Sequence, residues 1–139
     1  MSKKNQIKLD VYINYKGSCR EAFQFYEKHL GGKILSISTF KDLPDPANIP
    51  MGAKEDDVLH ARIEIGGTAL MGADIPNAEP MRSAYLTLTV NSAEEAETIY
   101  SILSDGGQIF MKMEETFYAK RFAMLRDKFG ANWMLLCES

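Results

Sequence analysis

The sequence feature that most constrains this chain is a pattern that occurs twice, about half the chain length apart. The spacing Ser-x-x-Glu-Ala-x-x-x-Tyr is found at positions 18–26 and again at positions 92–100. A Gly-x-Ile sequence follows each copy, at Gly32 and at Gly107, with a single additional residue before the glycine in the second copy. Internal repeats of this kind indicate duplication of one structural unit. We therefore expect a single domain, residues 1–139, made of module one (about 1–78) and module two (about 79–139).

Each copy of the repeat has the pattern of an amphipathic helix that begins at its serine. Ser18 and Ser92 stand at N-cap positions, and a glutamate three residues later, Glu21 or Glu95, completes a capping-box pattern. Apolar residues then recur at the spacing of one helical face. Glycine pairs at 31–32 and 106–107 are expected to end the helices, because glycine most easily adopts the left-handed conformation.

Alternation of apolar and polar residues predicts strands around both helices. The predicted strands are residues 7–15, 33–40, 58–65 and 68–71 in module one, and 84–90, 108–113, 120–126 and 132–137 in module two. Residues 41–57 have no periodic pattern and contain three prolines, so this loop is either a functional lid or merely a mobile segment. The order is β-α-β-β-β twice, which has too many strands for a doubly wound parallel sheet.

Composition and charge exclude several classes of protein. A length of 139 residues with 45% hydrophobic residues is enough to bury one core. A net charge of −3 with scattered basic residues argues against a nucleic-acid partner, which requires a basic face. No apolar run approaches the length of a membrane span. Cys19 and Cys137 are the two cysteines, in no metal-binding spacing, which favours a reduced protein of the cytoplasm.

The paired modules resemble the vicinal oxygen chelate superfamily, which includes glyoxalase I, extradiol dioxygenases and bleomycin-resistance proteins. The details are most similar to its PhnB-like branch. The residues that carry the resemblance are Cys19-Arg20-Glu21-Ala22 with Tyr26, His60-Ala61-Arg62, Leu70-Met71 with Asp74, Glu115-Thr116-Phe117-Tyr118, Asp127-Lys128-Phe129-Gly130 and Trp133-Met134. The resemblance implies an α+β fold in which two βαβββ modules form a curved mixed sheet around a cleft, often in a homodimer.

The resemblance also implies where a metal would bind in metal-dependent members: one ligand in the first strand of each module and one four residues after the glycine of each closing turn. Counting in this sequence gives Tyr12 and Tyr85 for the first pair, and Met71 and Met134 for the second. Divalent metals of this superfamily prefer imidazole and carboxylate ligands. A thioether is soft and neutral, and a phenol with a pKa near ~10 would have to lose its proton. We therefore predict that the usual metal site is absent and that there is no other cofactor.

His60 is the main candidate for a catalytic residue. It shares a strand face with Arg62 and Glu64, so it is either a general base or binder of a substrate oxygen, or part of an ordinary charged surface strand. Tyr12 and Tyr85 are expected to face each other, either donating hydroxyl groups to a ligand or serving as interior tyrosines.

Tyr118 and Arg121 are candidate contacts at the rim of the cleft. Arg121 would hold an anionic group, whereas the alternative is a structural turn that anchors the final hairpin. The ligand-binding residues predicted from the sequence are therefore Tyr12, His60, Tyr85, Tyr118 and Arg121.

Three functions are compatible with these residues. The first is a homodimeric small-molecule-binding protein without the usual metal, its ligand unknown. The second is an enzyme of the same superfamily, of isomerase, lyase or transferase type, with His60 as general base. The third is a resistance protein that sequesters a toxic aromatic compound. PhnB-like relatives have been labelled methyltransferases of quinone biosynthesis, but no glycine-rich loop follows a strand here to hold a nucleotide-like cofactor.

Overall fold

The computed structural model describes residues 6–138, and its two halves have the same order of elements. Module one contains β1 (Val11–Tyr15), α1 (Cys19–His29), β2 (Lys33–Thr39), β3 (Val58–Ile65) and β4 (Thr68–Asp74). Module two contains β5 (Leu86–Val90), α2 (Ala93–Ser104), β6 (Gln108–Glu114), β7 (Ala119–Arg126) and β8 (Asn132–Glu138). In the described part of the chain, no helix is long and apolar enough to cross a membrane.

The eight strands form two four-stranded mixed sheets with equivalent topology. The strand order is β1-β4-β3-β2 in one sheet and β5-β8-β7-β6 in the other. In each sheet the first strand of the module pairs in parallel with the last, and the other pairs are antiparallel. The predicted α+β fold class, with two βαβββ modules, is confirmed.

One face of each sheet is covered by the helix of its module. Residues on this helix-covered face are buried and belong to one core: Ile13, Ala61, Ile63 and Leu70 in module one, and Ala123, Leu125, Trp133 and Leu135 in module two. Since successive side chains of a strand point to opposite faces, the residues between them lie on the other side. We call that side the open face of each module.

The two modules are joined by a buried polar cluster. Tyr26 of α1 donates a hydrogen bond from Oη to Oδ2 of Asp127 at 2.6 Å, and Trp133 donates from Nε1 to the same oxygen at 2.9 Å. Asp127 Oδ1 accepts from the backbone amides of Phe129 and Ala131 at 2.9 and 3.0 Å. A buried carboxylate is tolerated when its acceptor capacity is used by donors in this way. Helix α1 is therefore anchored to the β7–β8 turn of module two.

The N-terminal strand is shorter than predicted. The alternation of residues 7–15 predicted one strand, but β1 begins at Val11, which pairs with Leu70. Ile7 and Leu9 are 94% and 92% exposed, so α1 does not cover them. Periodicity indicates which residues could form a strand. A strand also needs a neighbouring strand to pair with, and the pairing of β1 with β4 begins only at the Val11–Leu70 pair.

The two predicted helix caps have different outcomes. Ser92 caps α2 as predicted, since its hydroxyl oxygen accepts from the Glu95 amide at 3.0 Å. Ser18 makes no side-chain cap bond. Instead, Asp74 at the end of β4 accepts from the Cys19 amide at 2.9 Å and from the Val58 amide at 2.8 Å.

Candidate functional site

The open face of module one carries two rows of side chains that run across its strands. Strand pairing places Tyr12 beside Met71, Met71 beside Arg62, and Arg62 beside Ser36. The second row starts with Asn14, which pairs with Ala73. It continues with His60, which follows the Ala61–Gly72 pair along β3, and with Ser38, which pairs with His60.

Tyr12 and His60 are brought together on this face. Their ring centroids are 6.3 Å apart with the planes tilted by 50°. Tyr12 is 50% exposed, and burial of its other half together with the Cys19 thiol raises its pKa above the ordinary tyrosine value. The phenol is therefore protonated at neutral pH and presents a hydroxyl donor. Ala73 lies between Asn14 and His60 on this face, as the strand pairing shows.

Arg62 lies beside this pair and forms an ion pair with Asp10, but it makes no short hydrogen bond to that carboxylate. Its Nη1 is 3.9 Å from the Met71 sulfur, and its Nη2 is 3.8 Å from Oδ2 of Asp10. A thioether is a weak acceptor, and the carboxylate is beyond ordinary hydrogen-bond distance. Since the arginine side chain is only 29% exposed, a ligand with a good acceptor would complete its hydrogen bonding.

The open face of module two has the same geometry but different residues. Thr87 pairs with Met134, Met134 with Met124, and Met124 with Met111. Tyr85 lies near one end of this face, with its ring 6.3 Å from that of Phe110. Tyr118 lies at the other end, 5.8 Å from the ring of Phe122. Tyr85 and Tyr118 thus contact two different aromatic residues of module two, Phe110 and Phe122.

Arg121 lies on the other side of its sheet. It follows the alternation of Ala123 and Leu125, which face α2, and its Nε donates to Oε2 of Glu97 on that helix at 2.8 Å. Its partner is therefore a carboxylate of the same chain, and it does not join the residues of the open face.

The two open faces belong to different modules of one chain. The helix-covered faces of both sheets meet in the shared core, where the ring centroids of Tyr26 and Trp133 are 5.3 Å apart. Tyr85 lines a cavity together with Val11 and Leu70 of module one. That Tyr12 and Tyr85 face each other stays a prediction.

The position equivalent to Tyr12 is Thr87, which corrects the sequence-based pairing of Tyr12 with Tyr85. Tyr12 pairs with Met71 and Thr87 pairs with Met134, so Thr87 has the place in β5 that Tyr12 has in β1. The turn before α2 has one residue fewer than the turn before α1, because Val90 is followed by Asn91 and the cap, whereas two residues follow Tyr15. Counting along the sequence could not detect this difference.

The positions equivalent to metal ligands in this fold are therefore Tyr12, Met71, Thr87 and Met134, and they do not suit a divalent cation. The Met134 sulfur is 3.9 Å from the Thr87 hydroxyl, and the Met71 sulfur is 3.9 Å from the Arg62 guanidinium. The tyrosine is protonated, the thioethers are soft, and the arginine adds a positive charge. Among residues 6–138, no three His, Cys, Asp or Glu residues are grouped to hold a metal ion.

The sequence-based site omitted several residues of the open faces. Asn14 is not among the ligand-binding residues predicted from the sequence, and Met71 and Met134 were considered there only as positions of metal ligands; both methionines are partly exposed on open faces. Strand alternation already placed Asn14 on the side of Tyr12. Assigning the methionines required knowing which side the helix covers.

Comparisons with known proteins agree with this architecture. A model of the Glyoxalase/Bleomycin resistance protein/Dioxygenase superfamily matches residues 8–135. Protein YjdN of Escherichia coli (strain K12) is 32% identical over 136 residues, which cover 91% of this chain and 92% of YjdN. The crystal structure of protein PA1353 from Pseudomonas aeruginosa is similar with a TM-score of 0.83 and 37% identity, covering 96% of this chain and 98% of that chain.

A third similar protein is a PhnB protein from Bacillus cereus, described as a putative 3-demethylubiquinone-9 3-methyltransferase. Its structure gives a TM-score of 0.79 at 27% identity, covering 94% of this chain and 99% of that chain. The resemblance to PhnB-like proteins inferred from the sequence is thus confirmed. Since the family model covers most of the sequence and the topology agrees, this chain belongs to the Glyoxalase/Bleomycin resistance protein/Dioxygenase superfamily.

Proposed function

We propose that this protein binds a small organic molecule on the open faces of its sheets, as a homodimer and without the metal used by other members of its superfamily. The observation that carries the proposal is the group formed by Tyr12, His60 and Arg62 on an open sheet face beside thioethers that replace metal ligands. Converging polar groups on a partly covered surface are typical of ligand sites. The two buried free cysteines are compatible with a reducing compartment, and we propose the cytoplasm as the location of the protein.

The homodimer is supported by the formation of each open face by one module alone. In such a dimer, the open face of module one from one copy and that of module two from the other would form the walls of a cleft. Partly exposed aromatic residues on these faces, Tyr12 and Phe110 among them, support such an association. A symmetric dimer would contain two equivalent clefts.

An enzyme with His60 as general base is the second candidate, and the adjacent Tyr12 supports it. An imidazole nitrogen would take a proton from a carbon next to a carbonyl and return it to a neighbouring atom, as in an isomerase. The Tyr12 hydroxyl would donate a hydrogen bond to the carbonyl oxygen as it gains negative charge. Retention of a toxic aromatic compound without turnover is the third candidate.

Binding is tested by a thermal-shift screen with aromatic, dicarbonyl and phosphonate compounds, followed by calorimetric titration of each hit. We expect His60→Ala and Tyr12→Phe to weaken binding of a hit by about tenfold, the effect of losing one good hydrogen bond. Arg121→Gln is the matched control, because Arg121 lies on the helix-covered face. Equal affinities of all four proteins would contradict the proposed site.

Two further measurements separate the candidates. If His60→Ala abolishes turnover of a hit but retains its binding, the protein is an enzyme; if the wild type only retains the hit, it is a binding protein. Elemental analysis after purification without chelator tests the metal. One tightly held divalent ion per chain would show that the protein is metal-dependent.

A further inference from the structure

We infer that the two open faces recognise different parts of one ligand, an amphipathic organic acid: module one binds its carboxylate and module two its apolar body. The inference rests on the proposed function, because it concerns the same cleft. It starts from a difference in polarity between the two open faces, which the shared topology of the modules does not explain.

The open face of module one is polar in both of its rows except at Met71 and Ala73. It presents the Tyr12 hydroxyl, the Asn14 amide, the His60 imidazole and the Arg62 guanidinium, with Ser36 and Ser38 at the outer ends. Arg62 is the residue suited to a carboxylate, because its planar group can donate two parallel hydrogen bonds and the Asp10 carboxylate, at 3.8 Å, lies beyond hydrogen-bond distance. The protonated Tyr12 adds a donor on the same side.

The open face of module two is apolar at five of the eight equivalent positions, whereas Thr87, Thr89 and Glu114 take the places of Tyr12, Asn14 and Ser38. Met124 occupies the place of Arg62, Met111 the place of Ser36, and Phe122 the place of His60. Met134 and Leu136 continue this surface on β8. Met111 remains 45% exposed, although burial of its side chain would be favourable.

A surface made of several methionines favours a ligand body of variable shape. The unbranched thioether side chain adapts to different apolar partners, unlike a wall of branched residues. A cleft with one wall from each module would thus place the Arg62 guanidinium opposite a flexible apolar wall. Neither a fully polar metabolite nor a hydrocarbon would use both walls.

The test is calorimetric titration of the full-length protein with straight-chain alkanoic acids of four to ten carbons and with their methyl esters. We expect affinity to rise about fourfold for each added methylene, the effect of burying one such group. The acids should bind about tenfold more tightly than their esters, because the ester has lost the charge that pairs with Arg62.

Variants test which open face is responsible for the preference for acids and which for the dependence on chain length. Arg62→Gln should remove the preference for acid over ester and leave the dependence on chain length, whereas Met124→Gln should reduce the dependence on chain length and leave the preference. Met111→Gln is a second variant for the apolar wall, since its exposure makes it tolerant of substitution. Arg121→Gln should change neither quantity.

The outcomes distinguish this inference from the proposed function. If hits from the wider screen depend on Tyr12 and His60 but alkanoic acids do not bind, the cleft is real and the division of walls is wrong. If acids bind but both variants alter both quantities equally, the division is also wrong. If no compound of either set binds, the proposed function and this inference fail together.

Discussion

The hydroxyl of Tyr26 should contribute more to stability than any other tyrosine hydroxyl in the core. It donates to the buried Asp127 carboxylate at 2.6 Å, and the Tyr15 hydroxyl lies 3.2 Å away. Because the proton of Tyr26 is committed to Asp127, Tyr15 must be the donor in the second bond. Tyr26→Phe therefore removes a bond to a charged group and also leaves the Tyr15 hydroxyl without its acceptor.

These contacts set the expected order of three substitutions. A hydrogen bond to a charged group contributes about 1.5–3 kcal/mol, and a neutral one about 0.5–1.5 kcal/mol. We expect Tyr26→Phe to lower the free energy of unfolding by about 3 kcal/mol and Tyr15→Phe by about 1 kcal/mol. Tyr100 occupies the equivalent position of α2 and is only partly buried, so Tyr100→Phe should cost less than about 0.5 kcal/mol.

Urea unfolding followed by circular dichroism measures all three variants against the wild type. The comparison requires that the unfolding free energy depends equally steeply on urea concentration in all variants, because the transition midpoints then report stability and not compactness. If Tyr26→Phe costs no more than Tyr15→Phe, the bond to Asp127 does not anchor α1 to module two, and the account of the shared core is wrong.

Three other perturbations test the fold by the same unfolding measurement. Ser92→Ala should lower the free energy of unfolding by about 1 kcal/mol, because it removes the cap bond. Ser18 makes no such bond, so Ser18→Ala should stay within about 0.5 kcal/mol of the wild type. Equal costs would contradict the cap assignment. Gly72→Ala should cost about 1–3 kcal/mol, since its Cβ would lie 2.9 Å from a ring carbon of Phe23; an unchanged midpoint would contradict the packing of α1. Burial raises the pKa of Tyr15 above its unfolded value, so its contribution is present below about pH 10 and is lost at higher pH as the unfolded chain ionises. Above this pH, the unfolding free energy of Tyr15→Phe should fall less steeply with pH than that of the wild type, by about 1.4 kcal/mol per pH unit. An identical slope in both proteins would show that the pKa of Tyr15 is not raised.

Local patterns were sufficient to predict most of the secondary structure. Val58–Ile65 was predicted with its observed bounds, because strict alternation and a glycine turn are both encoded within a few residues. The repeated helix pattern correctly predicted two modules with one element order. The start of β1 was wrong because that boundary depends on β4, a partner strand that follows only after a helix and two other strands.

The candidate site was predicted less completely, for reasons of register and tertiary contact. Tyr12 and His60 do lie together, since each was assigned to the polar side of a strand in the same module. Thr87 was missed because strand alternation fits Tyr85 equally well, two residues earlier on the same face, and only the pairing with Met134 selects Thr87. Arg121 contacts Glu97, a residue 24 positions away, and no pattern in the sequence indicated that α2 covers that side of β7.

Trp133 is the single tryptophan of the chain, and its position gives the molecule an intrinsic fluorescent probe. Its indole is 2% exposed, donates to Asp127 and packs 5.3 Å from the ring of Tyr26. Separation of α1 from the β7–β8 turn would admit water to the indole and shift its emission to longer wavelength. Emission spectra can therefore detect partial separation of the two modules in solution, without any label, even while both sheets remain intact.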